Sequence, residues 1–280
     1  MHLLKQSPKK GFRLLRKLEL TYPHNADIYY NLGVALLYQD KLEEAEKYFK
    51  KTLKLKADCQ QAKDNLKFTV RIKEIFGKQC TEEDLEEMGT LLSSATDTGF
   101  FDLAIRIGNL MVSVDKGPGS LNDLGLTFYH KQEFDNALQC YNKALEIDPN
   151  MHEAISNKAF CLMVKNRLAE AYTLYKRVVE LSPDFLQGWY HLGYLSLCKK
   201  NYVEALSYLD KAIELNDEYY LAWFAKYQAL MQLKRTEEAD KCLEKAVYLN
   251  PEYAAQLAEG NWDKIPIQTT NMHAKTRREV

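Results

Sequence analysis

The residues best equipped for covalent chemistry in this chain are six cysteines and a handful of histidines. A thiolate nucleophile needs a cysteine beside a base, and Cys161, Cys198, His130 and His191 are the side chains that could form such a Cys–His pair. No nucleophile motif surrounds either cysteine, and no spacing fixes an acidic partner for either histidine. The cysteines stand at 59, 80, 140, 161, 198 and 242, with no CxxC and no zinc-like spacing. Four of them fall inside helical patterns, where a free thiol serves as a small core hydrophobe. There is no phosphate-cradling Gly-rich loop, no HExxH and no cluster of metal ligands in the sequence. The expectation is no catalytic residue, no metal site and no cofactor. A Cys/His enzyme stays as the residual alternative.

The overall balance narrows the partners. Lys and Arg total 38 against 39 Asp and Glu, a net charge of −1. Nucleic-acid binders need a basic surface to displace counterions from phosphate, so nucleic acid is not an expected partner. The opening MHLLKQSPKKGF carries Lys5, Lys9 and Lys10 where a signal peptide would be apolar. No run approaches the roughly 20 apolar residues of a membrane helix. Together with the scattered cysteines, this predicts a cytoplasmic protein that does not insert into a membrane. Only 12 Gly and 7 Pro occur in 280 residues, which argues for helices joined by short turns and not for strands.

The elements that must position any functional side chain show themselves as a period. Segments beginning at Pro118, His152, Leu186 and Tyr220 start 34 residues apart without an insertion. Counting the first residue as offset 1, Ala recurs at offset 20 (Ala137, Ala171, Ala205, Ala239). A large residue recurs at offset 24 (Tyr141, Tyr175, Leu209, Leu243), and Pro149, Pro183, Asp217 and Pro251 stand at offset 32. A further copy begins at Ala26 with Tyr29, Leu32, Gly33, Leu36, Ala45 and Phe49; a weaker one begins at Leu85 with Ala104 and Met111. Each copy holds two helical stretches of about 14 residues, roughly 20 Å long. Small residues at Gly33, Gly125, Ala159 and Gly193 are expected to let the first helix approach the offset-20 Ala of the second. Pro at offset 32 ends the pair. A single pair cannot bury its apolar stripe, so copies must stack.

Trp189, Leu192 and Gly193, and likewise Leu124, Gly125 and Phe128, followed by the Ala, the large residue and the Pro, resemble the W-x2-L-G-x2-Y…A-x3-F…P pattern of the tetratricopeptide-repeat (TPR) family. The resemblance covers residues 26–59 and 85–253. It implies an all-α fold, a right-handed α-solenoid of antiparallel helix pairs, in which the first helices line a concave groove. In that groove offset 6 supplies Asn31, Asp123, Asn157 and His191, with Ala225 breaking the series. Asparagines here suit an extended peptide, because an amide both donates and accepts. Offsets 5, 9 and 12 add Tyr190, Tyr194, Phe160 and Tyr129 as aromatic anchors for a ligand. The subclass that clamps chaperone carboxylates is not matched: its cation positions fall on Asn122, Gln187 and His191. Without cations the cost of desolvating an anionic ligand is not offset.

The ends are irregular. Residues 1–24 read as an incomplete repeat, a second helix alone, with Leu15, Leu18 and Pro23 in phase and a basic face of Lys9, Lys10, Arg13, Arg16 and Lys17. After the complete copy at 26–59, residues 60–80 form a first-helix pattern with no matching second helix, a capping or connecting helix. Thr81–Asp84 reads as a capping box that opens a degenerate copy at 81–117. Four copies follow at 118–151, 152–185, 186–219 and 220–253, then a short cap and mobile tail at 254–280. The expectation is two stacks, one ending near residue 80 and one starting at 81. The function that follows is a scaffold or adaptor whose groove binds a protein or peptide segment. Two alternatives share that fold: self-association through the N-terminal half-repeat, and a regulatory or accessory subunit of a larger complex.

Overall fold

Helices of 12 to 18 residues, joined by turns of a few residues, account for nearly all of the described chain. The computed structural model describes residues 7–251. Among them are fourteen α-helices and no strand: α1 (Pro8–Thr21), α2 (Ala26–Leu37), α3 (Leu42–Leu55), α4 (Gln60–Gly77), α5 (Leu85–Thr98), α6 (Phe101–Val114), α7 (Pro118–His130), α8 (Phe134–Ile147), α9 (His152–Val164), α10 (Leu168–Leu181), α11 (Leu186–Cys198), α12 (Tyr202–Leu215), α13 (Tyr220–Gln232) and α14 (Thr236–Leu249). The fold is an α-solenoid of antiparallel helix pairs, the first and second helix of each period forming one hairpin.

Each hairpin turns by the same device. Offset 15 sits in the left-handed backbone region at Asp40, Gln132, Asn166, Lys200 and Lys234, with φ between 53° and 65°. The next N–H then donates back to the carbonyl of offset 11: Lys41 to Leu36, Glu133 to Phe128, Arg167 to Leu162, Asn201 to Ser196 and Arg235 to Leu230, all at 2.8–3.0 Å. This closes the first helix and reverses the chain. In the degenerate copy the position is Gly99, the residue that adopts this conformation without cost.

The offset-20 alanines occupy like surroundings. Ala45, Ala104, Ala137, Ala171, Ala205 and Ala239 are all fully buried. The small offset-8 residue plays a different part from the one its pattern suggests. A Cβ on Gly125 would fall 2.6 Å from the Tyr141 ring, one on Gly33 2.5 Å from Phe49, and one on Gly193 2.6 Å from Leu209. The glycine is therefore a seat for the large offset-24 side chain, and only secondarily a point of approach to the alanine. A second link explains the offset-4 aromatics. The Tyr29 hydroxyl donates to the Pro23 carbonyl at 2.8 Å, and the indoles of Trp189 and Trp223 donate to the carbonyls of Pro183 and Asp217 at 2.7 Å. The acceptor is the offset-32 carbonyl, which Asp217 supplies as well as proline does.

The chain divides into two compact units, Met1–Leu174 and Tyr175–Val280. The position near residue 80, where one stack was expected to end, lies inside the first unit. One apolar core runs from Leu36 and Phe49 through Ile72 and Ile75 of α4 to Met88, Leu103 and Met111, so α4 joins its neighbours inside the first unit. The capping box at Thr81 and Asp84 is formed, and a 3₁₀ turn at Glu82–Asp84 leads into α5. Helix α1 sets Phe12 and Leu15 against Ile28, Tyr29 and Leu32. Its Leu18 at offset 27 is 44 % exposed, whereas Thr52, Ala144, Val178, Ala212 and Ala246 at the same offset are at most 1 % exposed. The cap and tail expected at 254–280 lie outside the described residues.

The shared turn predicts substitutions of opposite sign. Gly99→Ala forces an alanine into the left-handed region and destabilises by about 1–2 kcal/mol. Lys200→Gly relieves that cost but adds unfolded-state entropy, and gains about 0.5 kcal/mol net. Urea unfolding followed by circular dichroism reads both; changes of the same sign would refute the shared turn.

Candidate functional site

Five of the eight expected groove residues lie in the first unit and three in the second. In the first, Asn31 on α2 is half-buried and its amide donates to the Asp27 carbonyl of its own helix at 2.7 Å. Asp123 on α7 is half-buried. Asn157 on α9 departs from expectation: it is 5 % exposed, and its Nδ2 donates to Oδ1 of Asn122 at 2.9 Å. Asn122 is 2 % exposed and sits at offset 5, one residue before the position expected to carry the polar series. The asparagines thus meet as a pair across two first helices. Asn31 is not part of it.

The same two helices bring Tyr129 and Phe160 together. Their ring centroids are 5.5 Å apart, and Phe134 stands 5.6 Å from Tyr129 on a third side. Phe160 is buried, while Tyr129 is half-buried with its hydroxyl pushed up to about 12 by desolvation. Tilted rings of this kind give a stiff apolar surface with one polar tip. Cys161 lies behind them, fully buried, with its thiol donating to the Phe134 carbonyl at 3.5 Å. Burial raises that thiol to about 11.

In the second unit Tyr190 and His191 are buried, at 7 % and 6 % exposure, where an exposed groove lining was expected. The reason is packing. The His191 ring stacks on Tyr175 at 4.8 Å, and Tyr190 packs edge-on against Tyr219 at 5.3 Å. Burial pushes the His191 pKa down to about 3. Tyr194 is half-buried, its hydroxyl is raised to about 12 by desolvation, and it lies beside the exposed Cys198.

The arrangement suits binding better than proton or acyl transfer. Burial raises the thiols of Cys140 and Cys161 above their ordinary value, the opposite of what a thiolate nucleophile needs, and partial desolvation beside Tyr194 raises that of Cys198 although the residue is exposed. Among the described residues no group of three His, Cys, Asp or Glu side chains could hold a metal ion. No helix among them is long and apolar enough to cross a membrane. Sequence reasoning missed one feature altogether: a surface depression of about 390 Å³ lined by Leu53 of α3 and Lys63, Leu66, Lys67, Val70, Arg71 and Glu74 of α4. Its signal is present as apolar and basic residues three and four apart in QAKDNLKFTVRIK.

Models of the tetratricopeptide repeat match residues 26–59 and 119–151, residues 162–220 and residues 221–253, more than half of the chain. The chain belongs to the tetratricopeptide-repeat family. Among curated proteins it is similar to the protein O-mannosyl-transferase Tmtc3 of Drosophila melanogaster, at 28 % identity over 159 residues. That match takes in 57 % of this chain but only 15 % of the relative's length. Among solved structures, Pseudomonas aeruginosa PilF aligns with a TM-score of 0.54 at 16 % identity, covering 84 % of this chain and 97 % of PilF. MamA from Desulfovibrio magneticus RS-1 aligns with a TM-score of 0.54 at 16 % identity, covering 62 % and 98 % of the two chains. At these identities the structural likeness is one of fold.

The buried imidazole of this TPR protein predicts an acid-sensitive second unit. His191 takes up its proton near pH 3 in the fold and at its ordinary 6.5 once exposed. Between those values the unfolded chain binds the extra proton, so acidification through this window favours unfolding. The stability is fully present above about pH 6.5 and declines below it by up to about 1.4 kcal/mol per pH unit. Urea midpoints at pH 8 and pH 5 should differ less in His191→Phe than in the wild type; equal differences would refute a neutral buried histidine.

Proposed function

We propose that this TPR protein is an interaction scaffold whose first helices hold an extended segment of a partner protein, and that α7 and α9 form the centre of that surface. The observation that carries the reading is the half-buried Tyr129 set against Phe160, on the same two helices that the Asn122–Asn157 pair joins. The bond between the amides uses one N–H of Asn157 and one lone pair of Asn122. Both side chains are almost wholly buried, so the pair braces α7 against α9 and thereby sets the surface that carries Tyr129. Bracing the two helices in advance lowers the entropy lost when a partner is bound. The half-buried Tyr129 then supplies apolar area at about 25 cal/mol per Å². Tyr194 does the same on the second unit. The six cysteines are all free thiols, which supports work in a reducing compartment, the cytoplasm.

One observation favours a second, compatible reading. Leu14 and Leu18 leave an apolar flank on α1, 45 % and 44 % exposed, which another copy of the chain could cover. If it does, Leu14→Glu/Leu18→Glu lowers the molar mass measured by light scattering; an unchanged mass removes this reading.

The scaffold reading is tested by affinity purification from the native source with wild type, Asn122→Ala and Tyr129→Ala/Tyr194→Ala, each first shown to be helical. The partner recovered with wild type should be lost or strongly reduced with both variants. Loss of one buried amide costs about 1–3 kcal/mol of the bond it made or the partner it leaves unpaired. Full recovery with both folded variants would take the first-helix surface out of the argument.

A further inference from the structure

Helix α4 continues the 34-residue register of α2, with Gln60 at offset 1. On one face it behaves as the first helices of the complete repeats do: Ala62 at offset 3 and Thr69 at offset 10 are fully buried. Ile72 at offset 13 is also fully buried, where Tyr38, His130, Val164, Cys198 and Gln232 are not. On another face it departs. Offset 8 is the buried Gly33, Gly125, Ala159 or Gly193 in four repeats, Leu92 in the degenerate copy and the half-buried Tyr227 in the last; on α4 it is the exposed Lys67. Offset 7 is fully buried at Leu32 and Leu192, yet Leu66 is only half-buried; offset 11 is fully buried at Leu36, yet Val70 is half-buried. In complete repeats this face receives the offset-24 side chain of the repeat's own second helix, as Gly33 receives Phe49. No second helix covers it on α4. The 390 Å³ depression floored by Leu53, Leu66 and Val70 is the vacant seat of that helix.

Charge says what fits. Lys63 and Lys67 rim the depression, and neither has a carboxylate partner among the described residues, whereas Arg71 is already held by Glu74 and Glu87. Lys54 and Lys56 flank Leu55 at the neighbouring end of α3 and likewise have no acidic partner among the described residues. A second copy of this chain fits poorly. The second helix with an open flank is α1, and it would bring Lys9, Lys10, Arg13 and Lys17 against these lysines.

We propose that the α3–α4 depression is a docking site for an amphipathic, acidic helix of a partner protein, laid where the second helix of α4's repeat would lie. Such a helix needs about 14 residues, roughly 21 Å, to follow the seat. Its apolar residues, spaced three and four apart, would meet Leu53, Leu66 and Val70, and its carboxylates would meet Lys63 and Lys67. The site is separate from the Asn122–Tyr129 surface, and either can fail without the other.

The test uses the full chain and a fluorescent 16-residue peptide with leucines at helical spacing and glutamates elsewhere. The comparison peptide has every glutamate replaced by lysine. Fluorescence anisotropy should show binding of the acidic peptide alone, weakening as salt rises. Lys63→Glu/Lys67→Glu should weaken it by about tenfold or more and admit the basic peptide. Both lysines are exposed, so the variant keeps its core. Tyr129→Ala/Tyr194→Ala should bind the acidic peptide as wild type does. No binding of the acidic peptide, equal binding of both peptides, or unchanged affinity in the lysine variant would overturn the proposal. So would a wild-type dimer in light scattering that the lysine variant dissociates, since the occupant would then be a second copy.

Discussion

Two helices can cross closely only where one of them presents almost nothing at the crossing. In the repeats that begin at Ala26, Pro118 and Leu186 that condition is met at offset 8, where the hydrogen of a glycine leaves room for a phenylalanine, tyrosine or leucine from the facing helix. The alanine at offset 20 is fully buried in every copy, so its methyl group fills its place without holding its neighbours apart. These small residues set the interaxial distance, and the large residues fill what is left, as close packing demands. Because the pattern recurs every 34 residues, the same hairpin is built again and again. Within each unit a hairpin buries its stripe against the next, so stability is spread along neighbours and not pooled in one centre.

This part of the fold is legible in the sequence because it depends on residue size, and Gly, Ala and Tyr differ plainly in size. The turn that reverses each hairpin is not. Its left-handed residue is Asp, Gln, Asn, Lys or Lys in the five regular copies, none of which advertises a positive φ except the asparagine and aspartate. The hydrogen bond to offset 11 holds the conformation, and a backbone bond leaves no mark on side-chain type. Only Gly99, in the copy whose sequence is otherwise weakest, shows the requirement openly.

The candidate site was half legible for a related reason. A 34-residue period compares equals with equals, so it groups Asn31, Asp123, Asn157 and His191. Contacts between adjacent first helices join unequal offsets. Asn122 and Asn157 are 35 residues apart, and a strict period passes over the pair that the structure makes. His191 shares its offset with Asn157 but stacks on Tyr175 and stays buried, so the shared position carries different work in the two units. Offset predicts where a Cα lies; what the side chain meets depends on the neighbouring repeat.

Helix α4 shows what happens when a charge takes offset 8 while the rest of the pattern is kept; the uncharged Tyr227 at that offset in the last repeat still packs beside Leu243 of its own second helix. A lysine at offset 8 cannot seat a large side chain, since closing a second helix over Lys67 would strand an ammonium group without water. The chain moves on to a capping box and a new hairpin, and the inner face of α4 is held instead by Ile72 and Ile75 in the core that reaches α5 and α6. A local exception of this kind, held in place by well-packed neighbours, is where function tends to be found. The energetics run the same way. Whatever neutralises Lys63 and Lys67 while covering Leu66 and Val70 binds only the folded hairpins, so its occupancy adds RT ln(1 + [L]/Kd) to their stability. Because α3 and α4 belong to one core with α5 and α6, that gain is felt through the surrounding repeats and is not confined to the helix that is touched.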